Sequence, residues 1–153
     1  MRASNHTDLP LPVFCPDCGE PYPWTEAALK AAQELADNGI EATVVNARFA
    51  KPLDTELITS LARRIKRVVT IEENTLNGGF GSSVARLVQE YNLTDVQIKH
   101  LGVPDEFVEQ GTQAALRAKY ALDANGIARQ VLTLFPEQKM ESLLETKGKI
   151  AAS

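Results

Sequence analysis

The stretch "RVVTIEENTLNGGFGSSVARL", residues 67–87, decides the fold. Its opening "RVVTIEE" is apolar without alternation up to Glu72 and Glu73. A strand wetted on one face alternates, whereas a strand covered on both faces does not. A glycine-rich turn follows. Val84, Leu87, Val88 and Tyr91 then recur at i, i+3, i+4 and i+7, which sets out one face of a helix. A doubly covered strand that feeds an amphipathic helix is the repeating unit of an α/β protein.

Working outward, the unit repeats. Downstream, "DVQIKHLG" (95–102) reads as a strand, and "GTQAALRAKY" and "DANGIARQVLTLF" read as helices capped by Thr112 and Asp123. Upstream, "KPLDTELITSLARRIK" (51–66) is a helix with Asp54 at its N-cap and Leu57, Ile58, Leu61, Ala62 and Ile65 on its buried face. "EATVVNA" (41–47) is a short β-branched strand. "TEAALKAAQELADNG" (25–39) places Ala28, Ala31, Ala32, Leu35 and Ala36 at helical spacing, with Thr25 starting the helix and Gly39 closing it. Strands that alternate with helices imply right-handed crossovers. The expected fold is therefore α/β, a three-layer α/β/α arrangement on a mostly parallel sheet of three to five strands.

Three strands are few for so many helices, so another is wanted before the first helix. The leader offers a poor one. Prolines at 10, 12, 16, 21 and 23 remove backbone donors, and a central strand needs them. At most "LPVFC" forms a short edge strand. The chain thus divides into a proline-rich leader (1–24), an α/β domain (25–135) and a charged, weakly amphipathic helical tail (136–153) that opens at Pro136.

Length and composition exclude several classes. A chain of 153 residues is one domain with a short extra segment. The net charge of −4 argues against a surface that neutralises nucleic-acid phosphates. No apolar run approaches the roughly 20 residues that span a bilayer. The first residues lack the apolar core of an export signal. Two cysteines two residues apart, with no others in the chain, suit a reducing compartment, so the cytoplasm is the expected location.

The glycine turn can present backbone N–H groups to a phosphate, yet it matches neither nucleotide signature. Gly79 and Gly81 supply two glycines of G-x-G-x-x-G, but Val84 stands at the third, and no acidic residue closes the next strand. No Lys-Ser or Lys-Thr follows, which excludes the Walker pattern. The plainer reading is a structural turn. Gly78, Gly79 and Gly81 take backbone angles closed to other residues, and Ser82 or Ser83 caps the helix. "GSSVA" is not a nucleophile elbow. Glu72 and Glu73 can do acid–base work as a pair, or simply accept hydrogen bonds from a neighbouring loop. His100 lies in a strand, far in sequence from His6. The cations of "RRIKR" (63–67) suit the C-terminal end of a helix.

Cys15 and Cys18, in "CPDCG", form one knuckle of a zinc site. Structural zinc takes four ligands in a tetrahedron, so the pair closes only half of one. A Cys₂ pair from each of two chains completes the set. A metal-free thiol pair is the simplest alternative.

"GIEATVVNARFAKPLD", "VVTIEENTLNGGFGSSV", "LGVPDEFVEQGT" and "ALDANGIARQVLTLF" occur in order between residues 39 and 135. Together they resemble the C-terminal domain of 1-deoxy-D-xylulose-5-phosphate synthase, a thiamine-diphosphate enzyme of the transketolase superfamily. The resemblance implies a transketolase C-terminal-domain-like fold. For the whole enzyme it implies addition of the acyl group of decarboxylated pyruvate to glyceraldehyde 3-phosphate, a step toward isoprenoids, thiamine and pyridoxal. In that family two earlier domains hold thiamine diphosphate and Mg²⁺, one of them through a Gly-Asp-Gly motif that this sequence lacks. No catalytic or cofactor-binding residue is therefore carried over. What the resemblance implies for this chain is an assembly role without catalysis of its own. The "NARFAKPLD" and "GVPDEF" loops would shape its contacts. Its partners would be a second copy, as a homodimer, or subunits carrying the thiamine-diphosphate-binding domains.

The leader has a second resemblance. "CPDCGEPYPWTEAALKAAQEL" is similar to the end of a small bacterial zinc-ribbon family, which leaves a zinc-binding interaction module on an α/β scaffold as the alternative function.

Overall fold

The computed structural model describes residues 9–13, 23–47 and 49–135. Four strands and five helices alternate along them: β1 (Leu9–Val13), α1 (Pro23–Asp37), β2 (Ala42–Asn46), α2 (Thr55–Ile65), β3 (Arg67–Thr75), α3 (Phe80–Glu90), β4 (Gln97–Val103), α4 (Gln113–Lys119) and α5 (Ala124–Leu132). The strands form one sheet in the order β2-β1-β3-β4, and every pair is parallel.

β3 is the hub. Val68, Val69, Thr70, Ile71 and Glu72 are buried in succession, the signature of a strand covered on both faces. Because side chains alternate along a strand, its residues separate into two cores. Val69 and Ile71 join Ala28, Ala31 and Leu35 of α1 and Ile127 and Val131 of α5. Val68 joins Ile58 and Ala62 of α2 and Phe80, Val84, Leu87 and Val88 of α3. The expected three-layer α/β/α arrangement is thus present, with the sheet between two helical layers. β3 and β4 keep register from Arg67↔Gln97 to Ile71↔Leu101, then shift before Thr75↔Val103.

One expectation is overturned. The strand missing before the first helix is Leu9–Val13 itself, and it is internal, between β2 and β3. The reason lies in where the two prolines sit. In a parallel strand, residues two apart direct their backbone N–H groups to the same neighbour. Pro10 and Pro12 therefore empty one edge and leave the donors of Leu9, Leu11 and Val13 on the other. The edge toward β2 carries a ladder of five residue pairs, whereas toward β3 the pairing is the single position Val13↔Ile71. The proline edge is the one facing β3.

The helix boundaries follow local chemistry. Asp54, Thr112 and Asp123 cap their helices as expected, accepting from the N–H groups of Leu57, Ala115 and Gly126. Gly39, at φ +76°, ends α1 with hydrogen bonds from Gly39 and Ile40 back to Ala36 and Leu35. Two details differ from expectation. α1 begins at Pro23, which suits a first helical position, so Thr25 lies inside the first turn. Leu57, expected in the core, is 38% exposed beside an apolar hollow formed with Val45, Ala47 and Val68. Ile58 and Ala62 take the inward positions instead. Among the described residues no helix is long and apolar enough to cross a membrane. Cys15, Cys18, His6 and the tail from Pro136 onward lie outside the described residues.

Candidate functional site

The glycine-rich turn joins the carboxyl end of β3 to α3, where ligands bind in many open α/β sheets. Strand parity decides what its two carboxylates do. Glu72 shares a face with Val68 and Thr70, toward α3, while Glu73 faces the opposite layer. The buried Glu72 side chain accepts from the N–H of Phe80 at 2.8 Å (Oε2) and of Gly81 at 2.9 Å (Oε1). It caps α3 from the preceding strand. A carboxylate there both satisfies exposed helix donors and complements the positive end of the helix dipole.

The serines expected to cap α3 do other work. The helix starts at Phe80 with Gly79 at its N-cap, which places Ser82 and Ser83 already within the first turn. Ser82 Oγ donates to the Leu76 carbonyl at 2.8 Å and accepts from the Gly78 N–H at 3.2 Å, pinning the turn. Ser83 Oγ donates to the Gly79 carbonyl.

The three glycines have two distinct causes. Gly78 is at φ +76° with open space around it, so backbone angle alone demands glycine. Gly79 has an ordinary φ of −75°, and a Cβ there would meet Glu72 Oε2 at 2.2 Å and the Thr75 carbonyl oxygen at 2.6 Å. A Cβ on Gly81 would meet His100 Nδ1 at 2.5 Å and Thr70 Oγ1 at 2.7 Å. At Gly79 and Gly81 close approach, not a forbidden angle, is the constraint.

His100 completes the cluster. Its Nδ1 lies 2.7 Å from Thr70 Oγ1 across β3 and β4. Partial burial pulls its pKa below the usual histidine value, and the Glu72 charge opposes this only in part.

Glu73 meets α4 on the other face. Arg117 Nε donates to Glu73 Oε1 at 2.9 Å, and Gln113 Nε2 donates to Glu73 Oε2. This pair borders a cleft of about 580 Å³ at the carboxyl ends of β3 and β4, lined also by Val103, Leu116, Tyr120 and Leu122. Glu72 and Glu73 act alike on the two faces of β3. Both are hydrogen-bond acceptors for neighbouring segments, the plainer of the two sequence expectations. The Arg117–Glu73 pair spans 44 residues and carries no local sequence signal.

The turn also bears on thiamine diphosphate and Mg²⁺. Phe80 and Gly81 hold the N–H groups that would cradle a phosphate, and both already donate to an internal carboxylate. A phosphate would have to displace Glu72 or lie against its like charge. Among the described residues no group of three or more His, Cys, Asp or Glu side chains is set to hold a metal ion. The described residues of this turn do not fit a phosphate of the coenzyme.

The described residues form a parallel α/β domain whose glycine-rich turn is capped by its own carboxylate. Residues 23–127 match the family described as transketolase, C-terminal domain, and the chain belongs to that family. The resemblance read from the four sequence motifs is borne out. The chain is 56% identical over 101 residues to 1-deoxy-D-xylulose-5-phosphate synthase 1 of Geobacter sulfurreducens, a match that covers 66% of this chain and 16% of that protein. It is 47% identical over 120 residues to 1-deoxy-D-xylulose-5-phosphate synthase of Syntrophus aciditrophicus, covering 76% of this chain and 18% of the relative. Among solved structures, "Split gene transketolase, inactive beta4 tetramer" superposes with a TM-score of 0.71 at 34% identity, over 84% of this chain and 39% of that one. The chain spans about a sixth of the length of the curated relatives it matches. Within that family it is similar to part of the 1-deoxy-D-xylulose-5-phosphate synthases.

Proposed function

We propose that this chain serves as an assembly domain of a 1-deoxy-D-xylulose-5-phosphate synthase-like enzyme and catalyses nothing by itself. One observation carries the reading: the shared residues make up 16% of the Geobacter synthase, so most of what that enzyme uses lies in polypeptide beyond the matched segment. On this reading thiamine diphosphate and Mg²⁺ are held by partner subunits with the remaining domains. The chain contributes a rigid α/β body whose Glu72-capped turn keeps its loops in place. Its working compartment is the cytoplasm, where pyruvate and glyceraldehyde 3-phosphate are made.

The test is direct. The purified chain, supplied with thiamine diphosphate, Mg²⁺, pyruvate and glyceraldehyde 3-phosphate, is expected to form no deoxyxylulose phosphate. Calorimetric titration with thiamine diphosphate is expected to show no stoichiometric binding. Turnover, or tight binding at one coenzyme per chain, overturns the proposal.

A further inference from the structure

The chain contains three Asn-Gly pairs, Asn38–Gly39, Asn77–Gly78 and Asn125–Gly126. Such a pair is reactive. With no side chain on the following residue to shield it, the glycine nitrogen can attack the amide carbon of the asparagine side chain. Asparagine is accordingly among the heat-labile residues. The pairs are alike in sequence, so only the fold separates them.

Two are locked. Gly126 is buried in α5, and its N–H donates to Asp123 Oδ1 at 2.9 Å. Ring closure there would break the helix cap. Asn38 and Gly39 are exposed, but both donate to backbone carbonyls of α1: Asn38 Nδ2 to Glu34 at 2.7 Å, and the Gly39 N–H to Ala36 at 2.9 Å. Ile40 follows at once, fully buried, with its own N–H on the Leu35 carbonyl. Turning the Asn38–Gly39 peptide would unwind the end of a helix. At Asn77 the reacting groups bond to side chains instead. The Gly78 N–H donates to Ser82 Oγ and Asn77 Nδ2 donates to Asp105 Oδ2, both at 3.2 Å, the long end of the usual range. Asn77 and Gly78 are exposed, so water can replace either partner. Gly78 and Gly79 separate Asn77 from Phe80, whose N–H is fixed by Glu72, and these glycines can absorb the rotation.

We infer that Asn77 is a site of spontaneous covalent modification, and that its conversion unfastens the glycine turn from the loop after β4. The Gly78 nitrogen gives up its proton and bonds to Asn77 Cγ, and the Cγ–Nδ2 bond breaks with ammonia as the leaving group. Water then opens the cyclic imide at either carbonyl, leaving aspartate or isoaspartate. A water is consumed for each ammonia released, and nothing is oxidised or reduced. The product has lost the N–H that reached Asp105 and carries a negative charge in its place, so a hydrogen bond becomes a repulsion between like charges. Glu106 keeps its bond from the Tyr120 hydroxyl, which limits the release to the Asn77 side of the loop. The inference goes beyond the proposed function, because it needs no partner, coenzyme or substrate.

Peptide mapping by mass tests the site. The full chain is incubated in warm, mildly alkaline buffer, with a parallel sample unfolded in urea. In the folded chain the Asn77 fragment is expected to convert several-fold faster than the fragments carrying Asn38 or Asn125, and to become a substrate for isoaspartyl methyltransferase labelling. In urea the three rates are expected to converge. Asn77→Gln, whose ring would have to be larger, is expected to abolish the signal at this position. Conversion led by Asn38 or Asn125 in the folded chain overturns the inference, as does an Asn77 that converts in urea and stays an amide in buffer. Melting temperatures test the consequence. Asn77→Asp, the product itself, is expected to melt lower by about 2–4 °C. Adding Asp105→Asn exchanges donor and acceptor and is expected to restore most of the loss. An Asn77→Asp chain that melts with the wild type, or a double variant that recovers nothing, overturns the link to the loop. Turnover by the isolated chain would sink the proposed function and leave this inference standing.

Discussion

Glu72 and Gly81 are joined by a 2.9 Å hydrogen bond from the Gly81 N–H to Glu72 Oε1, which ties the end of a buried strand to the first turn of the next helix. The contact explains why Gly79 and Gly81 are glycine, and it occupies the N–H groups that a phosphate would need. A carboxylate that reaches across the turn needs room at Gly79, and the helix that receives it needs room at Gly81.

Removing that charge should cost stability and leave the fold intact. Glu72→Gln keeps one acceptor oxygen but turns an amide N–H₂ toward the backbone donors. We expect a loss of about 1–3 kcal/mol, the range for a buried hydrogen-bonding group left with a mismatched partner. Urea denaturation of the wild-type and variant chains measures it. A change within a few tenths of a kcal/mol would show that the cap contributes nothing.

The glycines should rank by cause. Gly78→Ala meets only an unfavourable φ, a cost of about 1–2 kcal/mol. Gly79→Ala and Gly81→Ala force atoms apart and should cost more. Gly79→Ala is the harsher of the two, because one of its obstacles is a backbone carbonyl. For Gly81 the principal obstacle is a side chain, so His100→Ala should recover part of the loss in the double variant. Additive losses in a double-mutant cycle would refute that contact.

His100 should make stability depend on pH. Burial lowers its folded-state pKa below the value near 6.5 that it has when unfolded. The unfolded chain therefore binds the proton first as pH falls. Its contribution is full above the unfolded pKa, near neutrality, and declines as pH drops through 6.5 toward the folded value. His100→Gln should flatten this part of the stability–pH curve. Thermal unfolding from pH 5 to 8 checks the sign, and a wild-type curve that rises toward acid across that window contradicts it.

How much of this was legible in the residues differs from element to element. The caps at Asp54, Thr112 and Asp123 act on N–H groups three residues away, within reach of a short window of sequence. Glu72 acts on N–H groups eight and nine residues on, so the nearer serines looked like the caps. The Arg117–Glu73 pair joins positions that only the folded sheet brings together. β1 was hidden for a different reason. A proline count treats a strand as needing donors on both edges, and β1 keeps its own on one.

That asymmetry gives the last prediction. If Pro10 and Pro12 face β3, the donor that matters at the centre of β1 is Leu11, in the ladder to β2. Leu11→Pro removes it, whereas Leu11→Ala removes only side-chain atoms. The difference between the two variants isolates the backbone term, expected to be at least about 3 kcal/mol, comparable to proline in a helix interior. Pro12→Ala adds a donor toward β3, where pairing is sparse, and should shift stability by less than about 1 kcal/mol. Chemical denaturation of the three variants decides the matter. Equal stabilities for Leu11→Pro and Leu11→Ala would mean that β1 does not depend on that ladder, and a large loss for Pro12→Ala would place the open edge on the other side.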